Sequence, residues 1–324
     1  MVFGVNLGST TSCKISSESA YIIWRSLIDR NVSVEHLNAL ENYIHDQDFL
    51  KVCKDINEEY QKEIKQLTKL ADAFGINGPD PFLPGQTIKS DQEVMRDQEI
   101  GEVLYRFMRL DVNMILLSLK YVPINDEVQQ KMINLAQKAM YRVDAFIKYL
   151  KKKNWIFTPP EYRNTPPNVT EKVGVNEIHL LTDHLLFRYN NIRLTELFAA
   201  YAQDPDFALV LKAGVRILQK EVKLLEDRLL YFGIALPKAY PDTVPKPEKK
   251  EYFEDRFIFN TILRGMQDAL ALHGSAVQEI VVNDKLREFF IDLALGEINL
   301  MVKMSLYGKG RGWANLVPGY QAGE

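Results

Sequence analysis

The chain has 324 residues, with 40 Lys and Arg against 43 Asp and Glu, for a formal net charge of −3. Charges of both signs are interspersed, which argues against a nucleic-acid-binding or anionic-membrane surface. Cys13 and Cys53 are too few for a disulfide framework, and with no apolar run near ~18 residues and no basic-plus-apolar leader, the expected location is the cytoplasm, with a cytosol-made surface layer as the alternative.

Residues 1–17 form a Ser/Thr-rich tail. Within it, Gly4-Val-Asn-Leu-Gly-Ser-Thr-Thr-Ser-Cys13 resembles the first phosphate loop of the chaperone, sugar-kinase and actin superfamily, in which backbone N–H groups cradle phosphate. Asn6 stands where that loop has its acidic residue, helix follows in place of a second strand, and no second phosphate loop lies downstream. The tail therefore reads as a strap and not as a nucleotide site.

Four helices follow. The first runs over about 17–43, with Ile23, Leu27, Val34, Leu37 and Ile44 on one stripe. Asp46 then offers an N-cap to a second helix over 49–74, whose seam is Cys53, Ile56, Tyr60, Glu63, Leu67, Leu70 and Phe74, with Gly75 as C-cap. Residues 76–90 carry Pro79, Pro81 and Pro84. A segment of about 15 extended residues reaches roughly 50 Å, longer than a helix of 26 residues, so it can cross the whole length of a bundle and start the third helix from the opposite end. The third helix spans 91–121 with Ile100, Leu104, Phe107, Asp111 and Met114 on its seam. The fourth, capped by Asn125 or Asp126, shows Val128, Met132, Leu135, Ala139, Arg142, Phe146 and Tyr149, and ends on Lys151-Lys-Lys153, which suits a helix C-terminus. An extended strap around Trp155 to Tyr162 and a polar linker, 163–174, complete the first half.

The plan then repeats. Gln61-Lys62-Glu63 returns as Gln219-Lys220-Glu221, 158 positions on. At that offset residues 18–162 align with 176–320 without a gap, with roughly a fifth of the pairs identical. Helices are expected at 175–202, 207–232, 251–281 and 284–307, and Gly308-Lys-Gly-Arg-Gly312 reads as a helix stop. The predicted architecture is all-α: two tandem ferritin-like four-helix bundles, repeat one over 18–162 and repeat two over 175–324, each with a long crossover between its second and third helices.

Glu63 and Glu221 occupy seam positions where Leu, Ile or Val is usual, and an unpaired buried carboxylate costs several kcal/mol. Two accounts compete. In the first they pair with buried arginines. The turn between the first two helices is centred near Gln47, which places Arg30 and Glu63 at the same height in an antiparallel pair; Arg188 and Glu221 repeat this. Asp111 and Arg142 are a third candidate pair. In the second account they bind metal, as in di-iron bundles with inward Glu and Glu-x-x-His residues. No Glu-x-x-His occurs here. Repeat two offers Glu221, Glu297, Asp268 and His184 as ligands for iron or manganese, with His273 and the neutralising Arg188 and Arg264 nearby in the pattern. Taken singly, His184 and His273 read as core-edge or surface residues. No nucleophile elbow, Walker loop or dinucleotide fingerprint is present.

The paired units, the proline-rich crossover, Gln-Lys-Glu midway along the second helix and the endings Phe74-Gly75-Ile76 and Phe232-Gly233-Ile234 resemble an uncharacterised family from spore-forming bacteria. That resemblance implies tandem ferritin-like four-helix domains, loosely related to spore-coat proteins of the coat-protein-F type. It covers about 18–320. Relatives often carry His where this chain has Glu63 and Glu221, which separates it from any inherited metal site. The expectation is a non-enzymatic structural or interaction protein, which the resemblance ties to sporulation, working through protein partners or self-association and without a cofactor. The alternative is an iron- or manganese-binding bundle of the oxidase or iron-handling type with its site in repeat two.

Overall fold

The computed structural model describes residues 15–78, 96–120, 125–156, 161–237, 254–313 and 319–320. Among them are eight helices: α1 (Ser17–Glu41), α2 (Gln47–Ala73), α3 (Asp97–Ser118), α4 (Asp126–Lys153), α5 (Val175–Tyr201), α6 (Pro205–Tyr231), α7 (Asp255–Glu279) and α8 (Asp284–Arg311). A two-residue strand, β1 (Ile15–Ser16), pairs antiparallel with β2 (Gly319–Tyr320). The phosphate-loop-like stretch, most of the expected crossover and its counterpart in the second half lie outside the described residues.

The first residues of α5, α6, α7 and α8 follow those of α1, α2, α3 and α4 by 158 positions each. The local chemistry that sets these boundaries is duplicated too. Asp46 accepts from Phe49 N, and Asp204 from Phe207 N, as N-caps. The Asp97 carboxylate takes the backbone N–H groups of His45 and Asp46, and Asp255 takes those of Gln203 and Asp204. Each of these aspartates thus ties the first turn of one helix to the tight turn between two others. Gly75 and Gly233 end α2 and α6 with φ of 65° and 74°; Asn154 and Gly312 follow α4 and α8 with φ of 57° and 69°. Such left-handed residues satisfy the last carbonyls of a helix.

Contacts divide the chain into two compact units: residues 1–100, 121–135 and 316–324 in one, and 101–120 with 136–315 in the other. This division passes through α3 and α4. In the first unit α1 lies antiparallel on α2, and the expected seam of α2 is buried from Cys53 through Ile56, Tyr60, Glu63, Leu67 and Leu70, with Phe49 added at its start and Phe74 only half-buried. In the second unit α5 packs on α6 and α7, and α7 on α8. Residues 101–118 of α3 also pack on α7, where Leu116 meets Gly274 and the Tyr105 hydroxyl donates to the Gln278 carbonyl. The buried row of α3 runs through Met108, Val112 and Ile115, with Phe107 and Met114 only half-buried. Residues 136–153 of α4 meet α8 through Arg287, whose Nε lies 2.7 Å from Asp144 Oδ1.

The linker is an ordered strap. Glu161 bridges Gly174, and Tyr162 N–H donates to the Val173 carbonyl. Glu171 anchors it through Asn283 and Lys285. Glu177, fully buried in the first turn of α5, accepts from Gly174 N with one oxygen and from Val282 N and Asn283 N with the other.

The glycine-rich stretch at 308–312 stops α8 later than expected, at Arg311. Gly308 is helical and the Phe259 ring seats on it: a Cβ there would lie 2.1 Å from Phe259 Cζ, whereas one at Gly310 would meet nothing within 4 Å. Gly308→Ala is expected to lower the unfolding free energy by about 1–3 kcal/mol through overpacking. Gly310→Ala should raise it by up to about 1 kcal/mol through helix propensity. Urea unfolding of the two variants checks both, and equal effects would contradict the Phe259–Gly308 contact.

Candidate functional site

Glu63 on α2 is fully buried, and the Arg30 side chain of α1 reaches it with Nε 2.5 Å from Oε2. The Arg30 guanidinium also lies 5.2 Å from the centre of the Tyr60 ring, a cation–π distance. Arg142 and Asp111, both buried, stand 3.4 Å apart.

The equivalent place in the second half is different. Arg188 of α5 is 1% exposed and sits among ionisable groups from every neighbouring helix. Its Nε is 2.9 Å from Glu221 Oε2 of α6, and its Nη2 is 2.8 Å from Glu297 Oε2 of α8 and 3.1 Å from His273 Nε2 of α7. The Nε–H is not directed along the line to Glu221, so that contact is an ion pair without a good hydrogen bond. The His184 ring, one turn before Arg188 on α5, lies 4.5 Å from the His273 ring, centre to centre, and edge-on to Phe290. Arginine only donates, so His273 accepts at Nε2 and carries its proton on Nδ1. That Nδ1, and Nε2 of His184, are buried without a hydrogen-bond partner.

Electrostatics follow from this crowding. Burial pushes both imidazoles well below the usual histidine range, and Arg188 adds to the effect on each. The pair is neutral at neutral pH. Burial pushes Glu221 up to about 7, Arg188 pulling down and Glu297 pushing up. Glu297 is raised by burial against the pull of Arg188. One fixed cation thus faces two carboxylates in a dry setting.

Of the four ligands expected from sequence, the structure brings Glu221, Glu297 and His184 into one cluster. It leaves Asp268 outside: its side chain is 65% exposed and pairs with Lys120 at 3.6 Å. The position flanking the α7 seam turns toward solvent, and the α7 residue that points inward is His273, one further turn along. The sequence pattern did include His273, but its partners come from three other helices and no local spacing announces them. Among the described residues, no three His, Cys, Asp or Glu side chains stand close enough together to share one metal ion.

Comparison with known proteins gives three findings. Residues 168–322, which contain all of α5–α8, match the family model described as Protein of unknown function (DUF3231). No curated protein matches. A solved structure of a candidate spore coat protein from Bacillus halodurans C-125 is similar to this chain at 20% identity, with a TM-score of 0.43, over 45% of this chain and 94% of that one.

Two outcomes test the site. Arg30→Met is expected to lower stability by about 3–5 kcal/mol, since it removes one partner of a buried ion pair, and Arg30→Met with Glu63→Leu should recover part of that. Glu221→Gln addresses pH. A carboxyl raised in the folded state binds its proton more tightly there, so its contribution to stability is lost as pH rises from about 4.5 toward the folded value of about 7. Relative to the parent, the Gln variant should therefore gain stability across that window, as read from denaturant midpoints at pH 5 and pH 8.

Proposed function

We propose that this is a non-enzymatic structural or interaction protein: two tandem ferritin-like four-helix bundles, over 18–162 and 175–324, that act through protein partners or self-association, with a coat-related setting in spore formers and assembly in the cytoplasm. The observation that supports it is the ion pair common to both halves. Arg30–Glu63 and Arg188–Glu221 occupy equivalent positions, and each joins the first two helices of its repeat. What a duplicated chain keeps in both copies at such a place serves the frame: a buried guanidinium–carboxylate pair fixes the register of two helices without offering a reactive group to solvent. The family-like endings at Phe74-Gly75-Ile76 and Phe232-Gly233-Ile234 support the spore-former setting.

A second reading, iron or manganese binding in repeat two, draws on one specific observation: Glu221, Glu297, His184 and His273 gather there, one from each of α5–α8. Metal content of protein purified without chelator or metal-affinity tag separates the readings. The structural reading expects less than a tenth of an ion per chain after anaerobic ferrous loading, on the order of adventitious binding. About one or two ions per chain, lost in Glu297→Ala, would establish the metal reading instead.

A further inference from the structure

The buried row of α3 uses only part of what is apolar on that helix. A second row, Val103, Phe107, Leu110, Met114 and Leu117, recurs at alternate steps of four and three, the spacing of a helix that packs along another helix. Leu110 is 55% exposed and Leu117 43%, while Val103, Phe107 and Met114 are half-buried. Beside this row stands Tyr141 of α4, 53% exposed. The Asp111–Arg142 pair sets α3 and α4 side by side. Leu110 and Tyr141 each precede one member of that pair, so in two antiparallel helices they emerge on the same side.

Single exposed leucines, such as Leu209 and Leu230 on α6, are ordinary. Five apolar side chains in one line, two of them open to solvent, are not. The fold does not ask for them: the equivalent positions of α7 are Thr261, Gly265, Asp268, Leu272 and Ser275, and that helix forms all the same. The row of α3 is also its own complement when reversed. A second α3, turned end for end about Leu110, sets Val103 against Leu117, Phe107 beside Met114 and Leu110 against Leu110. Charge selects this direction. In the reversed pair the exposed Glu102 of one copy comes within about 3 Å, along the helix axis, of Lys120 of the other. Lys120 holds the exposed Asp268 at 3.6 Å with its own side chain still 24% exposed. The exposed Arg106 lies beside Met114, where its stem covers apolar surface. A parallel pair would instead set Glu102, Arg106 and Lys120 each against itself, which like charges oppose.

We propose that the outer row of α3 is a self-association surface, on which a second copy of this chain docks by antiparallel pairing of the two α3 helices about Leu110. The assignment rests on the structural reading given above and names the partner. From Val103 to Leu117 the helix rises about 21 Å, and a strip of that length and about 10 Å width is well short of the roughly 800 Å² per partner of a standard stable interface. The dimer is therefore weak and reversible, with dissociation in the micromolar range.

The test is sedimentation equilibrium of the full chain between about 1 and about 300 μM, a range that brackets such an affinity. The parent should pass from monomer to dimer. Leu110→Arg and Leu117→Arg, at exposed positions where the fold bears a charge, should each weaken association at least about tenfold with unchanged helical circular dichroism. Leu230→Arg, an equally exposed leucine on α6, should associate like the parent. A parent that stays monomeric overturns the proposal, and so does association that survives in Leu110→Arg or is lost equally in Leu230→Arg. Direction is read by mixing Val103→Cys and Leu117→Cys chains, each in a Cys13→Ser background, with a short bismaleimide. Cross-links between the two kinds of chain are expected; cross-links of each kind to itself overturn the antiparallel pairing. Metal found in the parent would overturn the structural reading, whereas a metal-free monomer overturns this surface alone, so the two failures are distinct.

Discussion

A guanidinium held away from water cannot be left alone, and this requirement organises both halves of the chain. Arg30 and Arg188 are each 1% exposed. Moving an ion out of water carries a penalty of several kcal/mol, which only a close counter-charge and hydrogen bonds offset. Each arginine can meet its glutamate at one register of its helix pair. A slip of one turn, about 5.4 Å, would part them and leave two buried charges. Apolar seams alone are more forgiving, because Leu against Ile is similar before and after such a slip. The ion pair thus adds to the first two helices of each repeat a specificity that the hydrophobic stripe lacks, whatever it contributes to net stability.

The register was legible from the sequence because both partners are on adjacent antiparallel helices joined by a short turn. Counting back from Gln47 to Arg30 and forward to Glu63 is enough. The starts of α2, α4 and α6 were legible within two residues: Asp46 and Asn125 announce the first two locally, and the 158-residue offset carries the first of these to α6. The reach of that reasoning ends where helices meet across longer separations. Arg287, fully buried against Asp144 with its other nitrogens on the Ile280 carbonyl and Asp284, gave no signal, since its repeat-one counterpart is Gln129 and its main partner is 143 residues away. Glu177, in the first turn of α5, accepts from the backbone of the α7–α8 turn more than 100 residues away, a role that no local spacing marks. Asp268 and His273 differ by five positions on one helix, a rotation of about 140° beyond one full turn, and sequence periodicity placed the seam of α7 too coarsely to choose between them. The same coarseness assigned Phe107 and Met114 to the α3 seam instead of Met108 and Ile115.

The late stop of α8 shows a different limit. Glycines at 308, 310 and 312 suggest a helix end on propensity, and only the last of them takes a left-handed conformation. Gly308 is a close-approach glycine, required by the Phe259 ring and not by the backbone. Propensity cannot distinguish these two uses, because the cause of the first is 49 residues away on α7.

The duplication allows a separation that a single copy would not. Where the copies agree, as at Arg30–Glu63 and Arg188–Glu221, at Asp97 and Asp255, and at the left-handed residues after α2, α4, α6 and α8, the shared feature maintains the helical frame. Where they disagree, the frame tolerates both choices, and the difference needs another account. Glu297 in place of Ala139 adds a buried carboxylate to a core whose register Arg188 and Glu221 already specify. His184 and His273 add two imidazoles, each with a buried nitrogen that meets no partner, which costs stability relative to a serine and an isoleucine. Glu297 and His273 both meet the Arg188 guanidinium, at 2.8 and 3.1 Å, so the second copy surrounds its arginine with more polar partners than the shared ion pair requires.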